Sequence, residues 1–207
     1  MEPVVAAFDV DGTLTVRDCV VPFMRSTIGT ARFASICLRS APRIARLVLA
    51  RDRDAIKELF VRAVFTGRDV DAVESAGVVF AARVAEGWLR HDVAARMRWH
   101  QSEGHVVVLV SASLEPYLVP LGDLCEVDAV LCTGLEEEDG VYTGALRGAN
   151  CRGDEKVARL HAWMDSAGIP RTSLGFAYGD SAGDTALLAA AEAAFNVRSV
   201  DLTAVPA

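Results

Sequence analysis

The sequence predicts an α/β fold: a doubly wound parallel sheet with a helical cap inserted after the first strand. Three observations predict it. Short β-rich apolar runs alternate with helical patterns along most of the chain. The strongest of these runs end in Asp or Ser, the polar residues that lead a buried strand into a turn. The first two runs are also separated by far more than the ~30 residues of one βαβ unit.

The run "VVAAFDV" (4–10) reads as a buried parallel strand ended by Asp-Gly. "HVVVLVSAS" (105–113) is the second, "VDAVLCT" (127–133) the third, "SLGFAYGD" (173–180) the fourth and "AAFNV" (193–197) a weaker fifth. "HDVAARMRWHQSEG" (91–104) reads as a helix closed by a C-terminal glycine. "DEKVARLHAWMDSAG" (154–168) does the same and sets Val157, Leu160, Trp163 and Met164 on one face. "AGDTALLAAAEAA" (182–194) reads as a short apolar helix, and "LEEEDGVYTGALRG" (135–148) as an edge hairpin turning at Asp139-Gly140. Between the first two strands, residues 16–88 are helical in pattern, in the segments 21–29, 31–40, 43–51, 54–67 and 71–88. The expected architecture is therefore a Rossmann-like core, residues 1–15 and 89–207, with a helical cap, residues 16–88. An insertion there would hang over the carboxyl ends of the strands, where open α/β sheets bind ligands.

Composition narrows the function. Of 207 residues 52% are hydrophobic, enough for a sizeable core, and the net charge of −7 argues against nucleic acid as a partner. Cys19, Cys37, Cys125, Cys132 and Cys151 form no C-x-x-C pair, so reduced thiols in a cytoplasmic protein are expected. The start, Met-Glu followed by a strand-like run, reads as lacking a signal peptide. No apolar run approaches the ~18 residues of a membrane span, and membrane contact is not expected. The segment 19–51 nevertheless holds six arginines and no Asp or Glu. It reads either as a basic lid toward an anionic substrate or lipid surface, or as a solvated helix pair. The second reading is favoured for any single arginine.

Polar residues cluster at strand ends or at a helix start nearby: Asp9 with Asp11, then Ser111, then Lys156, then Asp180 with Asp184. A parallel sheet gathers strand ends along one edge. Carboxylates there suit a hard divalent cation such as Mg²⁺. Lysine and serine suit a phosphate, as a point charge and a hydrogen-bond donor. Metal, phosphate and a spare carboxylate together describe phosphoryl transfer.

"DVDGTLT", "VVVLVSAS", Lys156 at a helix start and "YGDSAGDTALL", in that order, resemble the motifs of the haloacid dehalogenase superfamily. The insertion after the first motif resembles its phosphoserine-phosphatase-like branch (subfamily IB). The resemblance implies that Asp9 is the nucleophile and forms an aspartyl-phosphate. It implies that Asp11 protonates the leaving oxygen and then activates water. Mg²⁺ would be held by Asp9, Asp180 and the Asp11 carbonyl. Ser111, Lys156 and the backbone N–H groups of Gly12 and Ala112 would hold the phosphoryl oxygens. Asp184 would orient Lys156 or the metal's waters.

The chain also departs from that branch. Asp18 stands where phosphoserine phosphatases carry a glutamate for the substrate amino group, and Arg62 is the nearest candidate for the arginine that holds its carboxylate. Gly183 replaces an Asn, and Ser111-Ala112-Ser113 replaces Ser-Gly-Gly. The expectation is an Mg²⁺-dependent phosphatase for a small organic phosphate monoester. Phosphoserine phosphatase proper, a phosphatidylglycerophosphate phosphatase and a phosphotransferase are the alternatives.

Overall fold

The computed structural model describes residues 3–200 and Leu202. The Met-Glu start and residues 201 and 203–207, assigned above to the core, lie outside the described residues.

A mixed sheet has the strand order β2 (Arg68–Asp69), β5 (Val141–Arg147), β4 (Ala129–Glu138), β3 (Val106–Leu114), β1 (Val5–Phe8), β6 (Leu174–Gly179), β7 (Ala193–Asn196). Its central strand β1 runs parallel to β3 on one side and to β6 on the other. Beyond them lie β4 and β7, also parallel to their inner neighbours. The chain leaves β1 toward β3 and β4, then returns to the opposite side for β6. That reversal opens a crevice at the carboxyl end of β1.

Period-two alternation assigns the strand side chains to two faces. Val5, Ala7, Val108 and Val110 face Leu160 and Met164 of α7 (Asp154–Ser166) and Leu187 of α8 (Thr185–Ala190). Ala6, Phe8, Val107 and Leu109 face the larger cluster, which includes Val93 and Met97 of α5 (His91–Ser102). Because both faces are covered, the strands read as continuous apolar runs.

The insertion comprises α1 (Val20–Ile28), α2 (Thr30–Leu49), α3 (Arg53–Phe65) and α4 (Val70–Gly87). Its two ends meet in one antiparallel bridge, Thr15 with Leu89. Val16 N–H donates to Trp88 O at 2.8 Å, Arg90 N–H to Leu14 O at 2.8 Å, and the Arg17 guanidinium lies 3.7 Å from the Trp88 ring centre. Gly77 brings α4 against α6 (Glu115–Leu124) so closely that a Cβ there would sit 1.9 Å from Pro116 O.

Four expectations on the elements change. The segments 31–40 and 43–51 form one helix, α2, through Pro42. The ring's missing N–H frees the Leu38 carbonyl, and Leu38 is 78% exposed, so water can satisfy it. Helix α6 went unread because Pro116 and Pro120 break its pattern, although Pro116 sits in the first turn, where no N–H is needed. The apolar helix expected over 182–194 ends at Ala190, and Ala193 and Ala194 instead pair with β6. The predicted hairpin exists, β4 with β5 (Val141–Arg147), with Asp139 and Gly140 at positive φ of 51° and 78°. Its outer edge, however, is covered by a two-residue strand from the insertion, β2 (Arg68–Asp69).

One buried histidine sets an acid limit. His100 is fully buried, 2.8 Å from the His105 ring nitrogen and 2.9 Å from the Tyr178 hydroxyl. Burial, aided by the charges of His105 and Arg96, lowers its pKa to about 3. The unfolded chain therefore binds a proton here that the folded one refuses. Stability should fall as pH drops from about 6.5 toward 3, by at most ~2 kcal/mol between pH 6.5 and 5. Thermal unfolding against pH checks this: His100→Gln should flatten the decline in that window, and an unchanged slope contradicts it.

Candidate active site

Asp9 follows the last residue of β1, and its N–H donates to Tyr178 O at 2.9 Å, so the sheet itself positions it. The chain then turns through Gly12 at φ +83°. A Cβ on Gly12 would lie 2.5 Å from Asp180 Oδ2, so only glycine lets this turn approach the end of β6.

Lys156, in the first turn of α7, is 2% exposed. Its Nζ donates to Asp9 Oδ1 and to Asp184 Oδ1, both at 2.6 Å. Burial works against its charge, but the two carboxylates outweigh burial and raise its pKa. Asp184 Oδ2 accepts from Ser181 N–H at 3.0 Å and Ser181 Oγ–H at 2.8 Å. Burial opposes the charge of Asp184, yet Lys156 and Ser181 hold its pKa below the usual carboxylate value. Burial and the charge of Asp184 push Asp9 the other way, to about 6, against the pull of Lys156.

Asp11 is held separately. Its Oδ1 accepts Cys19 N–H at 2.8 Å, and its Oδ2 accepts Ser113 Oγ–H at 2.6 Å. The Tyr117 hydroxyl donates in turn to Ser113 Oγ at 2.8 Å. Burial and the neighbouring charge of Asp18 raise Asp11 to about 7. Ser113 is the second serine of Ser-Ala-Ser, so the departure from Ser-Gly-Gly supplies a hydrogen bond that glycine lacks.

Asp9, Asp11, Lys156, Asp180 and Asp184 line one crevice of about 470 Å³, together with Gly12, Ser111 and Ala112. Its outer wall comes from the insertion: Val20, Val21 and Met24 of α1, and Arg53, Ile56, Lys57 and Phe60 of α3. Asp18 also lines it and accepts Val21 N–H at 3.2 Å, so it caps the first turn of α1 as well. Arg62 is not brought to the crevice. The inward positions of α3 recur at 53, 56, 57 and 60, and Arg62 is exposed on another side, with its backbone close to Gly144.

Sequence reasoning missed Lys57. Its ammonium donates to the Ala112 carbonyl and, at 2.6 Å, to Asn150 Oδ1. Asn150 Nδ2 donates back to Asp54 Oδ1 at 2.6 Å, and Thr133 Oγ donates to the Ala112 carbonyl at 3.1 Å. Burial lowers Lys57 to about 8 despite nearby carboxylates. The peptide whose carbonyl Lys57 holds also carries the Ser113 N–H, which donates to Ser111 Oγ at 3.1 Å. That contact holds Ser111 Oγ in place on the lining of the crevice. No sequence signal marks Lys57, one of several charged residues on α3. Arg198 was also missed: its guanidinium pairs with Asp180 Oδ2.

The oxygens of Asp9, Asp180 and Asp184 lie within 4.8 Å of one another, which is close enough to share a cation. Asp184 is the least available, because Lys156 and Ser181 occupy both its oxygens. Asp180 Oδ1 makes no hydrogen bond among the described residues.

Fold and crevice define a doubly wound α/β protein with an acidic, lysine-bridged site at the carboxyl end of its central strand. It belongs to the haloacid dehalogenase-like hydrolase family, whose sequence model matches residues 6–189. It is 36% identical over 192 residues to Protein CicA of Caulobacter vibrioides, covering 92% of this chain and 84% of that protein. In structure it resembles a Bordetella pertussis Tohama I protein of unknown function, with a TM-score of 0.76 at 22% identity, covering 92% of this chain and 87% of that one. It also resembles a substrate-bound phosphoserine phosphatase, with a TM-score of 0.63 at 16% identity, covering 92% and 84%. A phospho-aspartyl intermediate analogue of phosphoserine phosphatase matches equally well, at 17% identity. At these identities the likeness establishes the fold.

Proposed function

We propose that the protein is an Mg²⁺-dependent phosphatase that hydrolyses a small organic phosphate monoester through an aspartyl-phosphate on Asp9. One observation carries this reading. A buried carboxylate at the end of the central strand is bridged by a buried ammonium, with Ser111 and Asp11 on the same crevice.

The donor set fits a hard cation: carboxylate oxygens of Asp9 and Asp180, with the Asp11 backbone carbonyl between them in the chain. When bound, Mg²⁺ would offset the repulsion between carboxylate and phosphate. Asp9 attacks phosphorus, and the alcohol leaves with a proton from Asp11. Asp11 then takes a proton from water, which cleaves the acyl phosphate. A carboxyl shifted to about 7 can fill both roles near neutrality. Lys156, the Ser111 hydroxyl and the N–H groups of Gly12 and Ala112 hold the phosphoryl oxygens. Residues 16–88 act as a cap over the core of 1–15 and 89–207, and the α1 and α3 side chains above the crevice select the leaving group.

The test is a screen of metabolite phosphates and nitrophenyl phosphate, with and without Mg²⁺. Hydrolysis should require the ion and stop in chelator. Full activity in chelator would remove the metal, and silence on every phosphate would remove the phosphatase reading.

Lys57 acts in this scheme as a positioning residue for Ser111. Lys57→Met should lower kcat on nitrophenyl phosphate by roughly 10- to 150-fold, the worth of a charge-assisted hydrogen bond of ~1.5–3 kcal/mol. Lys57→Arg should recover part of the loss. In a double-mutant cycle with Ser111→Ala the two effects should not add. Strict additivity would show that Lys57 does not act through Ser111.

A further inference from the structure

Helix α2 carries three distinct strips. Phe33 and Ile36 are buried, with Phe33 stacked on Phe60 of α3 at 5.5 Å. Arg32, Arg39, Arg43 and Arg46 recur at helical spacing along a second strip, and among the described residues none of them pairs with a carboxylate. The third strip is apolar and exposed: Leu38 at 78%, Val48 at 56% and Leu49 at 85%, joined by the exposed Ala41 and Ala45. Taken singly, each arginine reads as solvated. Only the fold shows that they share a strip and that an uncovered apolar strip runs beside them.

We propose that α2 is a docking surface for an anionic phospholipid bilayer. Two adjoining strips need two adjoining environments. A bilayer surface offers phosphates for the arginines and, a few ångströms deeper, acyl chains for the leucines and valine. The segment 19–51 carries no acidic residue in a chain of net charge −7, so this face is the one an anionic surface attracts. A second copy of the same face would set arginine against arginine, and an acidic protein surface would answer one strip and leave the other wet. No helix among the described residues is long and apolar enough to cross a membrane, so α2 would lie on the surface, along ~30 Å of its length. The proposal is independent of the reaction proposed above.

Vesicle co-sedimentation of the full chain tests it. The protein should bind vesicles of phosphatidylglycerol mixed with phosphatidylcholine, should not bind phosphatidylcholine alone, and should release as salt is raised. Arg43→Gln with Arg46→Gln should weaken binding roughly 25-fold, at about fivefold per basic residue. Leu38→Gln with Leu49→Gln should weaken it without lowering the unfolding temperature, because both side chains are exposed. Absence of binding to the anionic vesicles, equal binding to neutral ones, or indifference to the arginine changes would overturn the proposal. So would light scattering that shows a dimer broken by Leu38→Gln, which would assign the face to a second copy.

Discussion

Asp9→Asn should reduce turnover of nitrophenyl phosphate to background while leaving the protein folded. The amide cannot attack phosphorus, and Lys156 alone offers no other nucleophile at that point. A loss on the order of 10⁴-fold or more is expected when one member of a catalytic unit is removed. Stability should hold or rise. Ionised Asp9 is disfavoured by burial and by Asp184 more than it is favoured by Lys156, which is why its pKa lies at about 6 rather than 3.8. The asparagine oxygen can still accept from Lys156, whose charge remains paired with Asp184 at 2.6 Å. Steady-state kinetics and thermal unfolding of one preparation separate the two effects. Turnover near the wild-type rate would remove Asp9 as the nucleophile.

Asp11→Asn should slow the reaction by ~10²- to 10⁴-fold, the share typical of general acid–base catalysis. The loss should be smaller for nitrophenyl phosphate, whose leaving group needs little protonation, than for alkyl phosphates. The structure gives this variant a second use. Asp11 accepts from Cys19 N–H and Ser113 Oγ–H, and an asparagine can keep only one of these acceptor contacts through its oxygen. A modest fall in unfolding temperature should therefore accompany the kinetic loss. Equal losses across leaving groups would deny Asp11 the acid role.

The strands were legible because both faces of the sheet are covered, which leaves unbroken apolar runs such as 106–110. The hairpin was legible because Asp139-Gly140 has the backbone freedom its turn demands. Proline misled twice. It split α2 at Pro42 and hid α6 at Pro116 and Pro120, since a local pattern cannot tell whether a freed carbonyl meets solvent or another element. The short strand β2 carries no pattern of its own and exists only because β5 lies beside it.

The same division runs through the site. The sequence by itself determined the carboxylates, lysine and serine at strand and helix ends, because the order of a parallel sheet brings such ends to one edge. Asp11-Gly12 was legible as a turn after the first strand, but that a Cβ on Gly12 would meet Asp180 follows only from the tertiary structure. The tertiary structure alone decided that Lys57 reaches the Ala112 carbonyl, that Ser113 anchors Asp11, that Arg198 meets Asp180 and that Arg62 faces away. It alone decided that four arginines of α2 run beside exposed leucines. The physical reason is one of range. Backbone preference and burial are written within a few residues, whereas a side-chain contact 50 or 100 positions apart depends on the angle at which two packed elements meet.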